Sequence, residues 1–243
     1  MKDTLIIIPA FNEENGIDDV LRGLEAIDGN VEILVIDDGS SDKTLEIVKQ
    51  HQVHHVSHPI NLGCGAALQT AFRYAKTNGY QYIVQFDADG QHHPDDLRQL
   101  IEEMRKGTDD VVIGSRVLGD PKFSPGLRKR IAFFWFNSVI RLLTGKKVTD
   151  PTSGLRGLSL RTFSYYATSL SFPNDYPDAD TLIHMIYEGY QIREFPIRSQ
   201  ARQAGISMHA GLFKNAVYML KVTLSIVSIL LNHFIIDRRN RNE

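Results

Sequence analysis

The sequence predicts an α/β fold, a doubly wound and mainly parallel sheet followed by a C-terminal helical appendage. Two observations carry this. Short apolar runs alternate with amphipathic stretches through the first half, the pattern of successive β–α units. The chemically loaded side chains fall directly after the apolar runs, where open parallel sheets bind ligands. The bulk agrees with a globular chain: 243 residues, 42% hydrophobic and 23% charged. That length suits one large domain, or one domain with a smaller addition.

The elements follow in order. TLIIIPA (4–10) reads as the first strand and NEENGIDDVLRGLEAI (12–27) as its helix. VEILVIDDGS (31–40) is the second strand, DKTLEIVKQ (42–50) a helix, VHHVSH (53–58) the third strand and GCGAALQTAFRYAKTNG (63–79) a helix. QYIVQFDAD (81–89) is the fourth strand, PDDLRQLIEEMRKG (94–107) a helix, and DVVIGSR (110–116) the fifth strand. Asn12 or Asp42 suits a cap, and Pro94 suits a first helical turn. Beyond these, GDPKFSPGLRKR (119–130) and TDPTSGLRGLS (149–159) read as loops. IAFFWFNSVIRLLTG (131–145) and DADTLIHMIYEGY (178–190) read as helices, and QIREFPIRSQ (191–200) as a strand. A long helix with a basic finish closes the chain. The expected division is 1–210 for the sheet domain and 211–243 for that helix.

A net charge of -2 gives no global attraction to nucleic acid, and no nucleic-acid partner is expected. The single cysteine, Cys64, excludes an internal disulfide and fits a reducing cytoplasm. A small packed residue is the reading for it, not a nucleophile. The N-terminus carries a short apolar stretch followed by acids, unlike a signal peptide. His51, His54, His55 and His58 lack a second ligand cluster and read as surface or packing residues. His92 and His93 lie beside the most suggestive motif of the chain.

That motif is DADGQHHP. Asp87, Asp89 and Gln91 stand at alternate positions after an apolar run, so an extended backbone aims all three at one point. Two carboxylates aimed together repel unless a cation lies between them. The other strand ends add Pro9, Asn12 and Glu13, then Asp37, Asp38 and Ser40, then Asn61, Gly63 and Gly65, and finally Ser115 and Arg116. Five strand ends converge on one polar crevice.

Together PAFNEE, VIDDGSSDKT, NLGCGAA, DADGQHHP and IGSR resemble a family 2 glycosyltransferase of the GT-A fold, within the branch of dolichyl- and polyprenyl-phosphate sugar transferases. DPTSGLRG and EFPIRSQARQAGIS continue the resemblance, which spans roughly residues 4–208. It implies a metal-dependent, inverting transfer from a UDP- or GDP-linked sugar to a polyprenyl phosphate. Pro9, Asn12, Glu13, Asp37, Asp38, Gly63, Asp87, Ala88 and Asp89 would line the nucleotide sugar. Asp87, Asp89 and Gln91 would hold Mg²⁺ or Mn²⁺, ions that favour hard oxygen donors. Arg128, Arg130, Arg156, Arg202 and Ser207 would meet the acceptor phosphate, and Asp89, Arg116, Arg202 and Asp178 carry the catalytic expectation. A phosphate acceptor is already anionic and needs no strong base. A saccharide hydroxyl, the alternative acceptor, would need one, and Asp178 is then the candidate. An alternative of another class is a non-catalytic nucleotide-binding partner subunit of a membrane protein. A nucleotidyltransferase would be expected to carry a glycine- and lysine-rich loop where PAFNEE is acidic.

The stretch from Val222 to Ile236 is uncharged but shorter than the roughly 20 residues that span a bilayer. Arg238, Arg239 and Arg241 follow it, as in an interfacial anchor. The expectation is a cytoplasmic protein, peripheral on the inner membrane face. The C-terminal helix would take lipid, a membrane-protein partner or a second copy of the chain.

Overall fold

The computed structural model describes residues 2–25, 27, 30–88, 90, 92–120, 123, 127–170, 172–175, 177–198 and 212–240. Strand β1 (Thr4–Ala10) leads into α1 (Ile17–Glu25), which buries Ile17, Val20, Leu21 and Leu24 on one face. β2 (Val31–Asp37), α2 (Thr44–Val48), β3 (His54–Ser57) and α3 (Cys64–Thr77) follow. Then come β4 (Tyr82–Gln85), α4 (Pro94–Arg105), β5 (Val111–Ser115) and the short α5 (Arg116–Gly119). The second half holds α6 (Leu127–Thr144), β6 (Arg156–Ser159), α7 (Leu160–Tyr166), α8 (Ala179–Tyr187), β7 (Ile192–Pro196) and α9 (Leu212–Asn240).

Among the described residues the strands form one sheet in the order β3-β2-β1-β4-β6-β5-β7. All pairings are parallel except those of β6, which runs antiparallel between β4 and β5. Leu5 and Ile7 of β1 join one core cluster with α3, α6, α7 and α8, while Ile6 and Ile8 join the other with α1 and α4. Both faces of the central strands are therefore covered, as a doubly wound parallel sheet requires. The order of strands reverses at β1, which pairs with β2 on one side and β4 on the other. In open α/β sheets ligands bind beyond the carboxyl ends of the strands at such a point.

Three readings of the sequence are corrected. The segment expected to be loop contains β6, whose four residues are too few to display an alternating pattern. It includes Gly157 because a Cβ there would overlap the Met104 side chain of α4. Helix α7 was not foreseen. Asp42 accepts from the Thr44 N–H at 2.9 Å, but the N-cap position of α2 is Lys43, without a side-chain cap, and Asn12 is no cap either. It adopts a left-handed backbone (φ 55) and accepts instead from the Ser41 N–H at 2.9 Å.

Helix α9 buries Tyr218, Val222 and Ile226 in the cluster that holds α3, α6 and α8, so its first half shares the core of the sheet domain. Phe136 of α6, fully buried, packs edge-on against Tyr218 with ring centroids 5.9 Å apart. Among the described residues no helix is long and apolar enough to cross a membrane. Phe136→Ala should cost about 3–5 kcal/mol of unfolding free energy by urea denaturation. A loss under about 1 kcal/mol would mean that the α6–α9 junction collapses without penalty.

Candidate active site

The crevice is floored by loops that bond to one another. The N–H of Asn12 donates to Ser40 Oγ (3.0 Å), that of Glu13 to Thr44 Oγ1 (2.8 Å) and that of Glu14 to Asp42 Oδ2 (3.1 Å). The loops after β1 and β2 thus form one unit. Pro9 lies inside β1, half-buried one residue before its end. Asp37 and Asp38 are buried. Asp37 accepts from Ser57 Oγ (2.7 Å) and the Ser40 N–H (3.2 Å). Asp38 meets His58 Nδ1 at 2.7 Å and accepts from the N–H groups of Leu62 (3.0 Å) and Gly63 (2.8 Å). Both carboxylates, expected to face the nucleotide, hold the surrounding loops together. His58, read as surface or packing, is a bridge between Asp38 and Thr70.

Beyond β4, Asp87 keeps about a third of its side chain exposed (35%), and Ala88 is buried. The Asp87 carboxylate lies against Gly154, where any Cβ would overlap it. Burial would raise its pKa, but His92, at 3.6 Å, the charge of Arg116 and a hydrogen bond from Gln85 together hold the carboxyl below the usual range. Asp89 and Gln91 lie outside the described residues. Among the described residues no cluster of three His, Cys, Asp or Glu could hold a metal ion. Asp87 alone fits one, as a partly exposed hard oxygen donor at the topological switch point.

On the opposite rim stands a network that the sequence did not reveal. Glu194 of β7 accepts from the N–H groups of Thr149 (2.8 Å) and Asp150 (2.9 Å), and from Thr149 Oγ1 (2.9 Å). Ser115 Oγ bonds Thr149 Oγ1 at 2.7 Å. The pinned Asp150 then grips Arg116 through Nε (2.7 Å) and a terminal amino group (2.8 Å), with Phe123 and Phe133 beside the guanidinium. Arg156, expected to meet acceptor phosphate, is buried and donates to the carbonyls of Ser153 (2.8 Å), Pro177 (3.0 Å) and Pro151 (2.5 Å). The structure gives it the task of holding two loops. Arg130 is exposed on α6; the side chain of Arg128, and Arg202 and Ser207 entirely, lie outside the described residues.

Gly63 and Gly65 flank the start of α3. A Cβ on either would overlap the carbonyls of Pro173 or Asn174, and the Ala66 N–H donates to Asn174 O at 3.0 Å. Cys64 between them is surrounded by charge. Burial, then Asp87, Asp178 and Asp38, push its thiol up to about 12, so it stays protonated and is no nucleophile. Those three acids converge on the α3 N-terminus. Asp178 accepts from Tyr218 Oη at 2.5 Å and lies 3.7 Å from Arg156. Asp150, Glu194 and Tyr218 were invisible to sequence reasoning. The signals available were that Asp150 opens the quoted DPTSGLRG stretch and Glu194 the quoted EFPIRSQARQAGIS stretch.

Known proteins resemble this chain in sequence and in fold. Residues 5–165 match the family described as glycosyl transferase family 2. UDP-N-acetylglucosamine–dolichyl-phosphate N-acetylglucosaminyltransferase of Methanococcus voltae is 32% identical over 219 residues, 82% of this chain and 87% of that one. Polyprenol monophosphomannose synthase of Mycolicibacterium smegmatis is 30% identical over 216 residues, 86% of this chain and 81% of that one. A solved structure of glucosyl-3-phosphoglycerate synthase from Mycobacterium tuberculosis, with Mn²⁺, UDP-glucose and phosphoglyceric acid, aligns at a TM-score of 0.70. It covers 94% of this chain and 79% of that one at 20% identity, a likeness of fold.

One buried acid gives a pH dependence. Asp180, 1% exposed, accepts from the N–H groups of Asp178 (3.1 Å) and Thr181 (2.8 Å) and from Ser225 Oγ (2.5 Å). Burial, with the charge of Asp178, pushes its carboxyl up from 3.8 to about 6 against those hydrogen bonds. The folded state binds this proton more tightly than the unfolded chain. Its contribution to stability is therefore fully present below pH 3.8 and lost as the pH rises through about 6. That gap corresponds to on the order of 3 kcal/mol. Asp180→Asn should be more stable than the native chain at pH 7.5, and the advantage should shrink towards pH 4.5. Equal differences in denaturation free energy at the two pH values would exclude Asp180 as the titrating group.

Proposed function

Since the chain belongs to glycosyl transferase family 2, we propose that this glycosyltransferase moves a sugar from a nucleoside diphosphate to a polyprenyl phosphate, with a divalent metal ion and inversion at the anomeric carbon. The observation that carries the reading is the position of Asp87, at the end of β4 beside the end of β1, where the strand order reverses. The nucleotide would lie across that switch point, over the Asn12–Glu13 turn. Asp87, Asp89 and Gln91 would hold Mg²⁺ or Mn²⁺. When bound, the ion supplies positive charge that stabilises the leaving diphosphate. The names of the two enzymes from Methanococcus and Mycolicibacterium support a dolichyl or polyprenyl acceptor.

The transfer is a single displacement. An acceptor phosphate oxygen forms a bond to the anomeric carbon as the bond from that carbon to the diphosphate oxygen breaks, and the nucleoside diphosphate departs with the electron pair. The phosphate is anionic at neutral pH, with a second pKa of about 6, so positioning and electrostatics suffice. Asp178, the base that a hydroxyl acceptor would need, has one oxygen engaged by Tyr218 and the other facing Arg156, which favours the phosphate. The acceptor phosphate would be met by Arg130 and by Arg202 with Ser207.

Two exposed apolar stripes support docking at a membrane surface. Leu220, Leu224, Val227 and Leu231 are spaced along the outward face of α9, and Ile131, Phe134, Trp135 and Leu142 are exposed on α6. A lipid-linked acceptor would be presented to these helices.

Melting temperatures with UDP, GDP, CDP and dTDP, each with and without Mn²⁺, test the reading. A ligand at a hundred times its dissociation constant stabilises the fold by roughly 2.7 kcal/mol. One nucleotide should stabilise in a metal-dependent way, and Asp89→Asn should lose that response. Its sugar conjugate should then label polyprenyl phosphate. If no nucleotide shifts the melt at saturation, the donor reading fails.

A further inference from the structure

We propose that α9 is a positioning element of the transfer site: Tyr218, Lys221 and Ser225 latch the loop from Phe172 to Asp180 onto the N-terminus of α3, and Tyr218 sets the orientation of Asp178. The three residues recur at helical spacing and lie on one face. Each meets a different acid of the loop. Tyr218 Oη donates to Asp178 Oδ2 and Ser225 Oγ to Asp180 Oδ2, both at 2.5 Å, and Lys221 pairs with Asp175. Val222 and Ile226 are buried on the same side of the helix.

The loop and the first turn of α8 carry three carboxylates within six residues, which repel one another unless donors or cations hold them. α9 supplies a donor to each. On its other side the loop rests on α3: Asn174 O accepts from the Ala66 N–H, and the 173–174 carbonyls sit where a Cβ of Gly63 or Gly65 would be. The loop is thus sandwiched between α9 and the N-terminus of α3, where Cys64 packs against the core cluster between the two glycines. Asp178 lies near enough to the α3 N-terminus for its charge to act on the Cys64 thiol, as those of Asp38 and Asp87 do. Removing the Tyr218 hydroxyl frees an Asp178 oxygen, and with it the grip of α9 on the loop.

The only cysteine of the chain is a built-in reporter. In the closed protein the thiol is protonated, so labelling with Ellman's reagent requires an opening at the α3 N-terminus that lets Cys64 ionise, and its rate reads how firmly the loop is held there. Loss of one hydrogen bond to a charged group should speed labelling in Tyr218→Phe about tenfold, while the variant stays folded by circular dichroism. Ser225→Ala should speed it less. Leu224→Ala, on the outward face of the same helix, should leave it unchanged. In transfer assays Tyr218→Phe should lower kcat about tenfold and leave the KM for nucleotide sugar within about twofold of native, because a freed Asp178 carboxylate would turn its charge towards the attacking phosphate. Native labelling rates in both folded variants, Tyr218→Phe and Ser225→Ala, would overturn the latch. A raised KM with unchanged kcat would overturn the positioning of Asp178. The kinetic arm rests on the transferase reading, and a native chain that transfers no sugar refutes that reading while the labelling still decides the latch.

Discussion

The Asp38 carboxylate is the constraint on which the rest of the site depends. It is buried at the end of β2, where an ionised group without partners would be costly. Its partners come from the chain that follows: His58 at the end of β3, then the N–H groups of Leu62 and Gly63. These bonds fix the approach to α3. Gly63 can then present its bare Cα to Asn174, and Gly65 can pass beneath Pro173. A carboxylate accepting several N–H bonds is both held and holding. The acid that sequence reasoning aimed at a nucleotide shapes the crevice from within.

A similar logic governs the basic residues. Arg116 and Arg156 both look like phosphate ligands in the sequence. In the fold Arg116 is clamped by Asp150, itself oriented by Glu194. Arg156 ties three loop carbonyls. A guanidinium with several fixed acceptors is a cross-link between loops, and its charge still acts on its surroundings. Arg116 helps to keep Asp87 ionised without touching it.

The legible parts of the molecule are those set by local pattern. β1, β2, β4 and β5 announce themselves as apolar runs, because strands buried on both faces carry little else. β6 and α7 do not: β6 is short, and its glycine answers to Met104, a contact made across the sheet. The clustering of polar residues at strand ends was also legible, since it follows from the period of the chain. Their partners were not. Asp38 with His58, Arg116 with Asp150, and Asp178 with Tyr218 lie 20, 34 and 40 residues apart. No spacing rule reaches that far. Sequence reasoning therefore placed the polar residues at the strand ends and missed the long-range bonds that hold them there.

The C-terminal helix shows the same distinction at a larger scale. Its composition suggested an addition that meets something outside the fold, and its outward leucines fit that expectation. Its inward face behaves differently. Tyr218 packs edge-on against Phe136 and bonds Asp178, so one side chain is shared by the hydrophobic core and the acid beside the crevice. A rigid helix transmits displacement along its length because its backbone hydrogen bonds resist bending. The exposed leucines and the residues that bond the acids therefore stand on opposite faces of one helix, and a displacement of α9 would be felt on both.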